Sequence, residues 1–220
     1  MAAVAPRLIL ASNSPRRRAL LAELGVEHTV RPSNIDEEEA VRQARPGHPE
    51  EYVMLLAEAK ARAVAREITE DALVIGADTI VWLDGKALNK PLDEADAARM
   101  LLSLAGRTHQ VYTGLAIIFS GECVLRPALT GYEVTDVEFH PITEAGARAY
   151  VATGEPMDKA GAYGIQDSDT GARLVKAVRG DYYNVVGLPL ARLRELILPL
   201  APWFPETPAQ PQMPFRISTA

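Results

Sequence analysis

The run from Leu73 to Leu83 restricts the fold most, because it is apolar and rich in β-branched residues along almost its whole length. Only Gly76, Asp78 and Thr79 interrupt this pattern. A strand that is hydrophobic at consecutive positions has to be covered on both faces. The run therefore predicts a buried strand in a sheet that is flanked by helices.

Segments typical of helices and strands alternate on both sides of this run. Helices are predicted between capping and terminating residues at Ser14–Leu24, Glu50–Glu67, Asp93–Gly106, Thr143–Gly154 and Pro189–Leu198. Further strands are predicted at Arg7–Ala11, Gln110–Phe119, Cys123–Phe139 and Ala172–Val178. Asp84-Gly85 favours a hairpin turn. Alternating helices and strands with some hairpins predict an α/β protein with a mixed sheet.

The sequence changes character after residue 198. Prolines recur at every third position, which matches the three-residue turn of polyproline II: Pro199, Pro202, Pro205, Pro208, Pro211 and Pro214. We therefore predict one α/β domain over residues 1–198 and a proline-rich tail over 199–220. The tail either extends into solvent or lies across the surface, and both an inert tail and a partner-binding segment fit the pattern.

Charge and cysteine content limit the classes of function. The chain carries 23 Lys plus Arg against 29 Asp plus Glu, a net charge of -6, which disfavours binding to long nucleic acid but permits a small anion in a local basic pocket. Cys123 is the only cysteine, so that no disulfide can form within the chain. No apolar run approaches the roughly 20 residues that span a bilayer. The expectation is a soluble cytoplasmic protein without membrane partners.

The segment Ser12-Asn13-Ser14-Pro15-Arg16-Arg17 concentrates groups that bind phosphate. Ser14 predicts a helix N-cap, which places Arg16 and Arg17 in the first turn, where cations oppose the positive end of the helix dipole. Free backbone N–H groups, serine hydroxyls and guanidinium groups are also the donors that an anionic ligand requires. Two interpretations fit: a phosphate-binding helix N-terminus, or a well-capped helix whose arginines point into solvent.

Asp78 is an acidic residue inside an otherwise apolar strand. A buried carboxylate is costly unless a cation, a metal ion or hydrogen bonds compensate it, and such acids cluster at functional sites. Weaker candidates are Lys60 on a helix face, Lys90, the acidic run at 36–39 and the glycine-rich loop from Gly154 to Gln166. The sequence contains no G-x-x-x-x-G-K-[ST], G-x-G-x-x-G, H-E-x-x-H or G-x-S-x-G motif, and its four histidines lack zinc-ligand spacing.

Six segments between Leu8 and Leu198 resemble the Maf nucleotide pyrophosphatases in order and spacing. They are LILASNSPRRRALL, LAEAKARAVA, VIGADTIVWLDGKALNKP, HQVYTGLAI, GEPMDKAGAYGIQ and VVGLPL. The resemblance implies an elongated, strongly curved mixed sheet, with two lobes around a cleft. It also implies hydrolysis of a nucleoside triphosphate to the monophosphate and pyrophosphate with Mg²⁺ or Mn²⁺, and a homodimer.

The resemblance also assigns roles to residues of this chain. It places the catalytic acid, a proton acceptor that activates water, on Asp78, and the metal ligands on Asp78 and Glu37. The residues it implies in substrate binding are Ser12, Arg16, Arg17, Lys60, Thr79, Lys90 and Gln166. Whether Asp78 acts as base, metal ligand or both stays open.

Three short motifs indicate the substrate. SPRR, GADT and YGIQ resemble the branch of the family that acts on dTTP and UTP, with Arg16 or Arg17, Thr79 and Gln166 at the distinguishing positions. A sister branch that acts on 7-methyl-GTP differs at all three. We therefore predict a dTTP/UTP pyrophosphatase. The alternative is a nucleotide-binding regulator of septum formation with little turnover.

Overall fold

The computed structural model describes residues 6–121, 124–125, 128–166 and 171–218. Within these ranges the strands are β1 Arg7–Leu10, β2 Thr29–Val30, β3 Ala72–Leu83, β4 Lys86–Leu88, β5 Thr108–Gly121, β6 Val124–Leu125, β7 Leu129–Phe139, β8 Val175–Arg179 and β9 Arg216–Ser218. The helices are α1 Pro15–Glu23, α2 Glu37–Ala40, α3 Pro49–Ala65, α4 Glu94–Leu104, α5 Glu144–Val151, α6 Gly171–Leu174, α7 Tyr182–Val186 and α8 Leu190–Ile197. Two 3₁₀ turns, Glu155–Asp158 and Ala160–Ala162, follow α5. No helix among these residues is both long and apolar enough to cross a membrane.

All nine strands belong to one sheet in the order β2-β1-β3-β5-β7-β8-β9, with β4 paired to β3 and β6 to β5. β1 pairs in parallel with β2 and β3, and β8 pairs in parallel with β9. The pairs β3–β4, β5–β6 and β7–β8 are antiparallel. The prediction of an α/β protein with a mixed sheet is therefore confirmed.

The chain divides into two compact units. The first comprises Met1–Asp78, Thr113–Glu133 and Gly187–Ala209, and the second comprises Thr79–Tyr112, Val134–Val186 and Gln210–Ala220. β3, β5 and β7 each contribute residues to both units.

Helix α3 covers the sheet of the first unit at very short distance. A Cβ at Gly76 would lie 2.1 Å from the carbonyl oxygen of Ala57, and one at Gly114 would lie 2.3 Å from that of Val53. Only glycine allows such an approach of a helix backbone to a strand. At the other end of α3, the Ser120 hydroxyl lies 2.9 Å from the carbonyl oxygen of Ala65, which also accepts a hydrogen bond from the N–H of Ile68 at 3.2 Å.

The second unit is organised around α4, which packs against α5 and both 3₁₀ turns. The rings of His109, Phe139 and Tyr163 meet edge to face, with centroids 4.7–5.4 Å apart. Asp84 and Gly85 have φ angles of 51° and 77° and connect β3 to β4. Two positive φ angles are typical of a type I′ hairpin turn, so the hairpin prediction is confirmed.

Two predicted strands are wrong in extent. The predicted strand Ala172–Val178 begins as the short helix α6, and the strand itself covers Val175–Arg179. The predicted strand Cys123–Phe139 corresponds to two strands, β6 and β7, which both pair with β5, while Cys123 lies outside the described residues. Short apolar runs do not distinguish one turn of helix from a strand, so tertiary contacts decide such cases.

The C-terminal segment packs on the protein over much of its length. After a stretch without helix or strand, Arg216–Ser218 forms β9, with Val178 opposite Ile217. Phe204 and Phe215 are buried at 2% and 8% exposure. The segment thus adds a strand to the sheet and buries two aromatic side chains.

Candidate active site

The loop between β1 and α1 places two serines under the first turn of the helix. Ser14 is the N-cap of α1, and its hydroxyl accepts a hydrogen bond from the backbone N–H of Arg17 at 3.4 Å. The backbone N–H of Ser14 donates in turn to Oγ of Ser12 at 3.2 Å. β1 pairs in parallel with β3, and the Ala11 N–H donates to the carbonyl of Ile75 at 2.8 Å. The loop therefore lies beside the part of β3 that leads to Asp78.

Arg17 is held in place from two directions. Its Nε donates to the carbonyl oxygen of Gly187 at 2.7 Å, and its Nη1 donates to Oγ of Ser12 at 3.1 Å. Burial lowers the pKa of the Arg17 guanidinium, an effect that the charge of Asp78 opposes and that of Arg16 reinforces. The interpretation in which this arginine points freely into solvent is therefore wrong for Arg17.

Asp78 forms a close ion pair with Lys60. The Lys60 Nζ lies 2.6 Å from Oδ1 of Asp78, and both side chains are largely buried, at 14% and 13% exposure. Burial raises the pKa of the Asp78 carboxyl group, while the positive charges of Lys60 and Arg17 oppose this increase. The apolar strand thus contains a carboxylate that is compensated by cations, as a buried charge requires.

The packing of α3 explains why Lys60 reaches Asp78. Side chains alternate along a strand, so that Gly76 and Asp78 belong to the same face of β3. The missing side chain of Gly76 lets α3 rest on the strand at Ala57 and Ala61. Lys60 lies in the same helical turn, immediately before Ala61, and meets the next side chain on that face.

Glu37 supplies a second carboxylate to the same lysine. It begins α2, which Asp36 caps by accepting a hydrogen bond from the N–H of Glu39 at 3.0 Å. α2 packs against α3, and Oε1 of Glu37 lies 2.8 Å from Nζ of Lys60. Lys60, Asp78 and Glu37 thus form a charged cluster. Glu37 is 57% exposed and lies on the solvent side of this cluster.

The structure brings together five of the six predicted residues of the first unit, and the sixth, Arg16, is half-buried in the first turn of α1. Contacts join Ser12 to Arg17 and join Lys60 to Asp78 and Glu37, and the charges of Asp78 and Glu37 both act on Arg17.

The other three predicted residues belong to the second unit. Thr79 is half-buried in β3, whereas Lys90 and Gln166 are exposed. The N–H of Gly161 donates to the carbonyl of Asn89 at 3.2 Å, which ties the loop that leads to Gln166 to the segment that carries Lys90.

The acidic side chains of the site include possible ligands of a divalent metal ion. Among the described residues, no group of three or more His, Cys, Asp or Glu side chains could hold a metal by itself. The carboxylates of Asp78 and Glu37 nevertheless converge on one point, the ammonium group of Lys60. Mg²⁺ is commonly bound by one or two carboxylates together with substrate phosphates, and this pair fits that mode.

One contributor to the site was not identified by the sequence analysis. Gly187 accepts the hydrogen bond of Arg17 through its backbone carbonyl and has a φ of 116°, which only glycine adopts readily. Its segment VVGLPL contributed to the family resemblance, but a backbone acceptor leaves no side-chain signal in a sequence. The signal in the sequence was the glycine at position 187, which indicates an unusual backbone conformation.

Comparisons with known proteins agree with the sequence motifs. The family described as "Maf-like protein" matches residues 7–199. The dTTP/UTP pyrophosphatase of Moorella thermoacetica is 53% identical over 191 residues, which cover 87% of this chain and 93% of that protein. The proteins of the same name from Desulfotalea psychrophila and Symbiobacterium thermophilum are 50% and 47% identical over 191 residues, covering 87% of this chain and 93% and 92% of those proteins.

Among solved structures, a HAM1 protein from Coxiella burnetii covers 61% of this chain and 73% of its own, with a TM-score of 0.43 and 17% identity. The family match covers residues 7–199, and the relative from Moorella thermoacetica is 53% identical to this chain. The chain therefore belongs to the Maf family.

Proposed function

We propose that this protein hydrolyses dTTP and UTP to the nucleoside monophosphate and pyrophosphate. The observation that carries the proposal is the ion pair between the largely buried Asp78 and Lys60, formed next to the anchored guanidinium of Arg17. The names of relatives about 50% identical over most of the chain support the same reaction.

The triphosphate binds at the N-terminus of α1. Arg16 and Arg17 supply positive charge, the first-turn N–H groups supply donors, and the helix dipole favours an anion. The Ser12 hydroxyl oxygen already accepts two hydrogen bonds, from Arg17 and from the Ser14 N–H. Its proton is therefore the group that it can donate to a phosphate oxygen.

Asp78 accepts the proton of the attacking water. The water oxygen forms a bond to phosphorus at the α–β bridge, the bridging P–O bond breaks, and pyrophosphate leaves with the electron pair. Burial raises the pKa of Asp78, which brings this base closer to the operating pH and makes it more effective. Lys60 holds the carboxylate in place and balances its charge.

Asp78 and Glu37 would also hold a divalent cation, Mg²⁺ or Mn²⁺, together with phosphate oxygens. When bound, the ion supplies neutralisation of phosphate charge and polarisation of water. We further propose that Thr79, Lys90 and Gln166 bind substrate and that the amide of Gln166 selects the base. We extend the proposal to a homodimer, as the family resemblance implies, and to a cytoplasmic location, as the sequence composition predicts. Light scattering of the purified protein and microscopy of a tagged full chain test these two points.

The decisive experiment measures pyrophosphate and orthophosphate separately with dTTP, UTP, CTP and GTP, in Mg²⁺, in Mn²⁺ and with chelator. We expect pyrophosphate release, fastest with dTTP and UTP, and its loss with chelator. Asp78→Asn, which preserves shape but not charge, should lower kcat by at least about 100-fold.

Release of orthophosphate alone would identify an ordinary phosphatase and contradict the proposal. Stoichiometric nucleotide binding without turnover would support a regulator instead, an alternative that neither the site nor the relatives favour. Near-normal turnover by folded Asp78→Asn would remove Asp78 from its role.

A further inference from the structure

The backbone that leads to Gln166 is held at two adjacent residues by buried side chains of the second unit. The hydroxyl of Tyr163 hydrogen-bonds Nε2 of His109 at 2.8 Å. The N–H of Gly164 donates to the hydroxyl oxygen of Tyr150 at 3.1 Å. Without these bonds the glycine would have wide conformational freedom, and Gln166 would move with it.

The start of the same segment is fixed as well. Gly161 has a φ of 68°, and a Cβ at this position would lie 2.7 Å from Cγ2 of Val81. Its N–H donates to the carbonyl of Asn89. Ile165 is buried at 1% exposure, so that the exposed Gln166 follows an anchored backbone.

His109 is a polar residue at a buried position. It is 2% exposed, and its ring packs edge to face on Phe139 and Tyr163. Its Nδ1 has no hydrogen-bond partner among the residues that the structure describes. Burial lowers the pKa of His109 to about 3, so the ring is neutral at pH 7. Phenylalanine would pack without an unsatisfied nitrogen, and a costly polar group of this kind is expected where function requires it.

The amide of glutamine can recognise uracil and thymine only in one orientation. These bases present an N–H donor beside a carbonyl acceptor, whereas cytosine presents an acceptor beside an amino donor. An amide carries one acceptor and one donor group, so a rotated amide matches cytosine instead. A backbone that is free to shift would allow both orientations.

We propose that Tyr163 and His109 are positioning residues that hold the Gln166 amide in the orientation that selects uracil and thymine over cytosine. The inference rests on the proposed function, because it assigns Gln166 to base recognition. Neither residue touches the reacting atoms in this proposal. Their effect is therefore on the ratio between substrates rather than on the chemical step.

The test compares kcat and KM for UTP, dTTP and CTP in the wild type and in Tyr163→Phe, which removes only the hydroxyl. We expect the ratio of kcat/KM for UTP over CTP to fall about three- to tenfold, the range of one hydrogen bond, with kcat for UTP nearly unchanged. Tyr112→Phe is the matched control, because it removes a hydroxyl that bonds Gln110 at 3.1 Å in the same unit. It should preserve the ratio. In a Gln166→Ala background, Tyr163→Phe should cause no further loss.

An unchanged ratio in folded Tyr163→Phe would overturn the inference. An equal fall of kcat for all three nucleotides would do the same, since it indicates a purely structural role. If Tyr163→Phe does not fold, Tyr150→Phe replaces it, because it releases the neighbouring Gly164 N–H and should lower the same ratio. A wild type without preference for dTTP and UTP would instead refute the proposed function, so the two failures are distinguishable.

Discussion

At the scale of single residues, burial and ion pairing act in opposite directions on the pKa of Asp78 in the charged cluster. Removing Asp78 from water favours its protonated form, and Lys60 opposes this through both its charge and its hydrogen bond. A buried ion pair contributes little net stability, but loss of one partner leaves the other charge uncompensated. The pair is therefore better explained by control of the Asp78 protonation state than by stabilisation of the fold.

Replacement of Lys60 by glutamine should move the acidic limb of the pH profile of kcat/KM to higher pH. The lysine lowers the pKa of Asp78, so its removal raises that pKa, and the deprotonated base is then lost at a higher pH as the solution is acidified. Arg62→Gln is the control on the same helix, since Arg62 pairs with Glu58 rather than with the site. A limb that stays in place in Lys60→Gln would show that Asp78 is not the titrating base.

At the scale of elements, glycines determine how closely α3 approaches the sheet. Ordinary helix-to-sheet packing separates the two layers by side chains, whereas α3 rests on Gly76 and Gly114 with its own backbone. This short distance brings Lys60 to Asp78. The same helix also contacts α2, which carries Glu37, so that its position determines the geometry of the whole cluster.

Gly76→Ala should therefore affect both stability and activity. The added Cβ would lie 2.1 Å from the carbonyl oxygen of Ala57, so α3 has to move. We expect a loss of about 1–3 kcal/mol in the free energy of unfolding, as for other overpacked cores. Displacement of Lys60 should lower kcat/KM by up to about 100-fold. Gly146→Ala in α5 is the control, because its Cβ would meet nothing closer than 3.3 Å. A fully active and stable Gly76→Ala would contradict the packing argument.

At the scale of the whole molecule, the C-terminal segment contributes to both compact units. Residues up to Ala209 belong to the first unit, where Nε of Arg194 donates to the carbonyl of Pro205 at 3.0 Å. Gln210 and the residues after it belong to the second unit. There the Gln210 side chain accepts from the N–H of Tyr182 and donates to Asp181, and β9 extends the sheet.

Deletion of residues 210–220 should lower the melting temperature. The deletion removes β9 and the buried Phe215, whose side chain alone stabilises by about 1.5–3 kcal/mol. For a chain of this size that free energy corresponds to a decrease of about 3–12 °C, measured by differential scanning calorimetry. Phe215→Ala should account for much of the effect, whereas Pro214→Ala, at an exposed position, should not. An unchanged melting temperature would mean that residues 1–209 fold independently of the segment.

Features whose causes lie within a few residues could be predicted from the amino-acid sequence alone. Ser14, Asp93 and Thr143 cap the helices that they were expected to cap, because each accepts a hydrogen bond from an N–H three residues later. Asp84-Gly85 forms the predicted turn for an equally local reason. The family resemblance also selected Lys60, Asp78 and Glu37, which the fold brings into contact.

Features that depend on partners remote in sequence could not be predicted and became evident in the folded chain. Gly187 meets Arg17 across 170 residues, through a carbonyl that every residue type possesses. β9 and the bond between His109 and Tyr163 likewise need a partner that another part of the chain brings into place. Local propensity cannot encode these contacts, since their free energy arises only when the sheet brings distant segments together.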